Sequence, residues 1–251
     1  KYGKITLYKN ELFIGDSFKR DVYWDEDTLN KLKKFINPNR NILEIGGHYG
    51  EDTLRFYKYF PNSKIYSFEP DPRNIEIFKK ICYNIDSIEL IEKAVSNTEK
   101  ELAFFMAYSE FNNNLQKKYK YIGMGDYKKL NLNNSGSSSL KKSNRRDLLN
   151  SKKTIVKSIK LDNWYETKNI DIIDFIWIDV QGAEKEVIEG GKNILSKVKF
   201  IQLEYGETSY EGGLSKEETY DMMINNNFEL ILDYNPDSST GDYLFKNKFI
   251  V

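Results

Sequence analysis

The sequence predicts a doubly wound α/β fold, a mostly parallel sheet with helices on both faces and an antiparallel C-terminal strand. Three observations carry that prediction. Short apolar runs recur along the chain, as NILEIG, KIYSFEP, SIELIEKAV, DFIWIDV, KFIQLEY, FELILDY and DYLFKNKFIV. Helical patterns lie between the earlier runs, which is how parallel strands must be joined. Only the turn-rich NPDSSTG separates the last two, so they pair as a hairpin and bring a reversed strand into the sheet. With 251 residues, 39% of them hydrophobic, the chain can bury one sizeable core, and a single domain over residues 1–251 is expected.

Each element has a local cause. DEDTLNKLKKFI sets Leu29, Leu32, Phe35 and Ile36 at helical spacing behind an acidic start, and Pro38 ends the pattern, so residues 1–40 read as an N-terminal helical cap. EDTLRFYKYF follows a glycine turn as a helix. In PRNIEIFKKICYN, Asp71 is an N-cap and Pro72 suits the first helical position. AEKEVIEG is a third helix, cut off by Gly190 and Gly191. Residues 107–153 break the rhythm, being rich in Asn, Lys, Ser and Gly; they read as an insertion, either a solvated surface excursion or a lid over the carboxyl edge of the sheet.

Composition removes several function classes. Lys plus Arg equals Asp plus Glu at 38 each, so no global basic field draws nucleic acid or an anionic membrane. The single cysteine, Cys82, rules out an internal disulfide framework and gives no zinc spacing, which suits a reducing compartment. No apolar run has the length of a membrane span and no signal-peptide pattern opens the chain, so a cytoplasmic location is expected. The chain starts at Lys1 rather than at methionine, as a trimmed protein or a piece of a longer one would.

The chemistry concentrates in ILEIGGHYGEDT. Its glycines, Gly46, Gly47 and Gly50, miss the G-x-G-x-x-G spacing that cradles a pyrophosphate, because His48 stands where the second glycine would be. Glu44, near the strand end, repels phosphate oxygens and favours a cation. A sulfonium cofactor such as S-adenosyl-L-methionine meets that requirement better than a dinucleotide. Glu69, 19 residues beyond Gly50, ends the second strand, where a carboxylate accepts hydrogen bonds from ribose hydroxyls of either kind of cofactor. Asp179 ends the strand DFIWID beside the first strand and faces the same crevice. The structural alternatives are a solvated Glu44, a helix-packing Gly50 and a Glu69 that merely caps PRNIEIF.

Four segments, ILEIGGHYGEDT, IYSFEPDPRNIEIFKK, GSSSL and VKSIKLDNWYETKNIDIIDFIWIDVQGAEKEVIEGGKNIL, resemble the FkbM family of S-adenosylmethionine-dependent methyltransferases over roughly residues 41–205. The resemblance implies a Rossmann-like class I methyltransferase sheet and O-methylation of a hydroxyl on a sugar, glycan or related metabolite. Carried over by position, Glu44, Gly46 and Gly50 line the methionine end, Glu69 the ribose, and Ala94 and Val95 the adenine edge; Gly47, His48, Thr53, Pro70, Asp179 and Val180 complete the cofactor-binding set. Two positions depart from the family pattern: Trp177 replaces its usual lysine and Gln181 its usual glutamate. Methyl transfer to an alcohol needs a base, for which Asp179 is the first candidate, followed by Glu204 at the end of IQLEYGE and by His48, the sole histidine. No metal is expected; the partner is a small-molecule or glycan acceptor. The competing readings are an NAD-dependent oxidoreductase and a cofactor-binding module without catalysis.

Overall fold

A computed structural model describes residues 26–110, 131–144, 150–206 and 209–250. The described residues open with helix α1 (Glu26–Leu32), then alternate β1 (Asn41–Ile45), α2 (Glu51–Tyr59), β2 (Lys64–Phe68), α3 (Pro72–Ile81) and β3 (Ile88–Ile91). An excursion follows through β4 (Ala94–Val95), β5 (Glu101–Glu110), β6 (Asn131–Asn133) and β7 (Asn150–Ile159). After α4 (Leu161–Glu166) come β8 (Ile173–Ile178), α5 (Glu184–Gly190), β9 (Val198–Tyr205), α6 (Lys216–Asn225) and the hairpin β10 (Phe228–Asp233) and β11 (Gly241–Asn247).

Seven strands form the large sheet in the order β10-β11-β9-β8-β1-β2-β3. The pairs from β9 to β3 are all parallel, whereas β11 runs antiparallel to both β9 and β10. The reversed strand therefore lies second from the edge, with β10 outside it. Its first residues stand where neighbouring strands end. The chain leaves β1 toward β2 and β3 and later resumes at β8 on the other side, so the order reverses between β1 and β8 and opens a crevice at their carboxyl ends.

Both faces of this sheet are covered. Leu43, Ile45, Phe68, Ile176, Ile178 and Leu203 pack into one core, and Ile42, Ile65, Phe175, Trp177 and Leu244 into another with Leu29, Leu32 and Phe56 from α1 and α2. A central parallel strand buried on both faces must be nearly all apolar, as β8 is apart from Asp174, whose carboxylate accepts from the amides of Asn39 and Arg40. The N-terminal helix is shorter than its apolar spacing predicts. Beyond Leu32 the amides of Lys34 and Phe35 bond three residues back, to Lys31 and Leu32, and this tighter winding turns Phe35 outward to 44% exposure.

The stretch read as an insertion is in part a second sheet, ordered β4-β7-β5-β6, with β5 and β7 antiparallel over eight register pairs from Glu101↔Lys157 to Tyr108↔Asn150. Its buried side is Phe104, Met106, Val156 and Ala94, while Ile155 on the opposite side is 57% exposed. Residues 107–110 and 150–153, assigned from sequence to the insertion, belong to these strands. Among the described residues no helix is long and apolar enough to cross a membrane.

Candidate active site

The glycine turn is fixed by how closely two loops meet. Gly46 has φ +101°, and a Cβ there would stand 1.9 Å from the carbonyl oxygen of Asp179, so only glycine lets the ends of β1 and β8 touch. The amides of Gly46 and Gly47 both donate to the Phe68 carbonyl, at 2.9 and 3.0 Å, and tie the turn to the end of β2. Gly50, φ +86°, starts α2 with Phe78 and Cys82 packed against its Cα. Pro70 follows Glu69 and leads into α3, whose N-cap Asp71 accepts from the Arg73 amide at 3.0 Å, as predicted.

Glu44 is 1% exposed, and its Oε2 accepts from the hydroxyls of Ser67, at 2.6 Å, and Thr53. Burial drives its pKa well above the usual carboxylate range, against the two hydroxyls that favour the charge. It supports the turn from below. Glu69 is held from both sides: Oε2 accepts from the His48 amide at 2.8 Å, and Oε1 from the Asp71 amide at 2.7 Å and from Asn74 Nδ2 at 3.3 Å. Burial, aided by Asp71, pushes the Glu69 carboxyl up to about 8. Asn74 is 2% exposed, and its Oδ1 has no partner among the described residues. A donor-bearing ligand would satisfy it.

His48, with φ +44°, is engaged at both ring nitrogens: Nδ1 lies 2.6 Å from Glu51 Oε1 and Nε2 2.9 Å from Ser135 Oγ. To act as a base it would have to give up one of these. Burial alone would raise the Glu51 carboxyl; the charge and hydrogen bond of His48 outweigh it and hold Glu51 below the usual range. Ser135 also donates to Tyr49 Oη at 2.9 Å, Ser138 Oγ accepts from Arg73 at 3.0 Å, and Ser139 donates to the Val180 carbonyl at 3.1 Å. The serines of residues 135–139 thus fasten one short segment to the ends of β1, β2 and β8.

Asp179 stands across the crevice from Glu69. Its carboxyl reaches solvent, yet the surrounding walls raise its pKa by burial, opposed by the Gln181 amide. Gln181 Nε2 donates to Asp179 Oδ1 at 2.7 Å and to Glu204 Oε2 at 3.1 Å, and its Oε1 accepts from Tyr210 at 2.7 Å. Gln181 adopts φ +56°, a left-handed conformation that a residue with a Cβ adopts at a cost the surrounding bonds must offset. Ala94 and Val95 are buried in β4, opposite Ser158 and Ile159 of β7. Trp177 is core, edge-on to Phe56 at 5.6 Å. Among the described residues no group of three or more His, Cys, Asp or Glu side chains could hold a metal ion.

Residues 44–233 match the methyltransferase FkbM domain. The chain belongs to the FkbM methyltransferase family. A 2-O-methyltransferase, NoeI, of Sinorhizobium fredii (strain NBRC 101917 / NGR234) is 32% identical over 214 residues, 84% of this chain and 80% of that protein. Among solved structures, a putative rRNA-methylase from Clostridium thermocellum aligns with a TM-score of 0.48 at 9% identity, over 88% of this chain and 93% of that one. Aeropyrum pernix fibrillarin, solved with natively bound S-adenosyl-L-methionine, gives 0.45 at 13% identity, over 88% and 74%. As a member of that family the protein is a methyltransferase that uses S-adenosylmethionine, and its large sheet is the mostly parallel, Rossmann-like one with a reversed C-terminal strand that the sequence predicts. Sequence reasoning missed Asn74, whose position inside a helical pattern gives no sign that it turns toward Glu69.

Proposed function

We propose that this protein is an O-methyltransferase that moves the methyl group of S-adenosylmethionine to a hydroxyl of a sugar, glycan or related small metabolite. The observation that carries it is the pairing, across one crevice, of a preset carboxylate with a nucleoside's hydrogen-bonding needs and a second carboxylate with a base's. Glu69, oriented by two backbone amides and by Asn74, keeps a further lone pair on Oε2 for one ribose hydroxyl, and Asn74 Oδ1 beside it is an acceptor for the other. When bound, the cofactor supplies an electrophilic methyl group on a sulfonium. An acidic crevice, with Glu51, Asp52 and Asp179 interacting electrostatically, favours that cation. Asp179 takes the proton of the acceptor hydroxyl as the oxygen attacks; burial, by raising its pKa, makes it a stronger base. Gln181 positions it. The name of the Sinorhizobium relative, a 2-O-methyltransferase, supports oxygen as the accepting atom.

Calorimetry with S-adenosylmethionine and with NAD, followed by mass spectrometry of a saccharide panel, tests this reading. Binding of the first nucleoside alone and a gain of one methyl on a saccharide oxygen are expected. Cofactor binding without transfer to any acceptor would leave the non-catalytic module, and NAD binding the oxidoreductase.

A further inference from the structure

The carboxyl edge of the large sheet divides at the crevice. On one side lie the glycine turn and Glu69; on the other, three acidic side chains stand on three adjacent strands: Asp179 just after β8, Glu204 in β9 and Asp242 in β11. Because β11 is antiparallel, its beginning comes to this edge, and Asp242 pairs in register with Glu204. Gln181 ties Asp179 to Glu204 through one amide nitrogen. Burial, then Asp179, raises the Asp242 carboxyl to about 7, and no cationic group among the described residues is paired with it.

At the base of this row is Gln202, two residues before Glu204 on the same side of β9. It is 1% exposed, in register with Trp177 on β8 and Leu244 on β11. Its amide lies against Asp242 closely enough to favour that carboxylate's charge, yet neither Nε2 nor Oε1 meets a partner in hydrogen-bonding geometry. A buried amide whose nitrogen only approaches a carboxylate off-geometry and whose oxygen meets nothing is costly and rare, and it points to a group that arrives from outside.

The chemistry of the missing group follows from what it must satisfy. Ionised carboxyls only accept, whereas the amide nitrogen only donates. An ammonium has no acceptor for Gln202, and a phosphate or carboxylate would meet like charge from Glu204 and Asp179. Neutral hydroxyls donate and accept, and adjacent ones can serve two side chains at once. We infer that Asp242, Glu204 and Gln202 form the acceptor subsite and take neighbouring hydroxyls of a neutral saccharide ring, with the hydroxyl to be methylated lying on Asp179. This rests on the methyltransferase reading above.

The probes are methyl α-D-mannopyranoside, methyl α-L-rhamnopyranoside and methyl β-D-galactopyranoside, their monodeoxy forms, an anionic methyl glucuronide and a cationic methyl glucosaminide. Binding is read by saturation-transfer NMR with S-adenosylhomocysteine present, turnover by mass spectrometry, and cofactor affinity by calorimetry. Neutral glycosides should bind best. Asp242→Asn should raise the acceptor KM by about tenfold or more, the loss of one charge-assisted hydrogen bond, with kcat and cofactor affinity little changed. The deoxy glycoside lacking the hydroxyl that Asp242 accepts should show no further loss in that variant. Gln202→Met, which removes the orphaned amide at similar volume, should raise the melting temperature and still raise the acceptor KM; a purely structural Gln202 would leave KM alone. Preference for the charged glycosides, an unchanged KM in Asp242→Asn, or absence of neutral-glycoside binding to the cofactor-loaded protein overturns the subsite. Failure of calorimetry to detect S-adenosylmethionine is a different result and removes the underlying reading instead.

Discussion

At the scale of single residues, the crevice is built from side chains whose oxygens are already committed to the protein on one side. Glu69 is the clearest case. Glu69→Ala should weaken S-adenosylmethionine binding by about 0.5 to 1.5 kcal/mol, the worth of a hydrogen bond to a carboxyl that burial keeps largely protonated near neutral pH, and calorimetry on a folded variant checks it. An unaltered dissociation constant would take Glu69 out of the site. Asp179→Asn keeps the side chain's shape and its carbonyl acceptor but removes the base, so turnover should fall by about 10² to 10⁴ while cofactor affinity changes far less. Wild-type turnover in that variant would transfer the proton-accepting role to His48 or Glu204. The places of Glu69, Asp179 and Gly46 in the fold were readable in the sequence because each directly follows a strand, β2, β8 and β1, a position set by local pattern. Asn74, Asp242 and the Gln181 bridge were not, since each acquires its role from a partner 5 to 38 residues away.

Among elements, Asp71 caps α3 as its sequence signal predicts, whereas α6, a helix that the sequence reading did not name, has a fuller cap of its own. Ser215 accepts from the Glu218 amide at 3.1 Å and Glu218 returns the bond to the Ser215 amide at 2.9 Å, a reciprocal cap on α6. Ser215→Ala should cost about 1 kcal/mol and lower the melting temperature by about 2 to 4 °C, measured by calorimetric melting. The second sheet was not legible as strands. β7, NSKKTIVKSI, carries a run of polar residues and then exposes Ile155 beside buried Val156, so its apolar content is too small for a period to stand out. Residues 111–130 and 145–149 lie outside the described residues; the surface insertion or lid expected from sequence over 107–153 falls partly on them. Replacing 111–130 by a short Gly/Ser linker, while keeping β6 and the fastened serines, should preserve the thermal transition and cofactor affinity and abolish acceptor turnover. Loss of the thermal transition would instead make the segment part of the fold.

For the molecule as a whole, several buried acids share one consequence. The carboxyls of Glu69, Glu184 and Asp242 are raised to about 8, 7 and 7, in each case chiefly by burial. A group whose folded pKa lies above its unfolded value binds its proton more tightly in the folded state. Stability from these groups is therefore full below the unfolded carboxylate range and is lost as pH rises toward 7 to 8. In the absence of ligand the melting temperature should be higher at pH 6 than at pH 8.5, and Glu69→Gln, which stays neutral, should flatten that slope. A scan rising with pH over this interval would contradict the burial argument.

The sequence by itself determined the class of fold, the strands of the large sheet, the helices α1, α2, α3 and α5, and the glycine turn and strand-end carboxylates that line the crevice. These depend on periodicity, caps and strand ends, all of which act within a few residues. Only the tertiary structure decided that the reversed strand lies inside the edge, that the excursion folds back as a second sheet, and that Asp242 and Gln202 join Asp179 and Glu204 in one row. Those outcomes depend on which strands become neighbours. β11 inserts between β9 and β10, so the pairing that brings Asp242 to Glu204 spans a helix and a strand in sequence, and no local pattern in IQLEYGE or TGDYLF encodes that pairing.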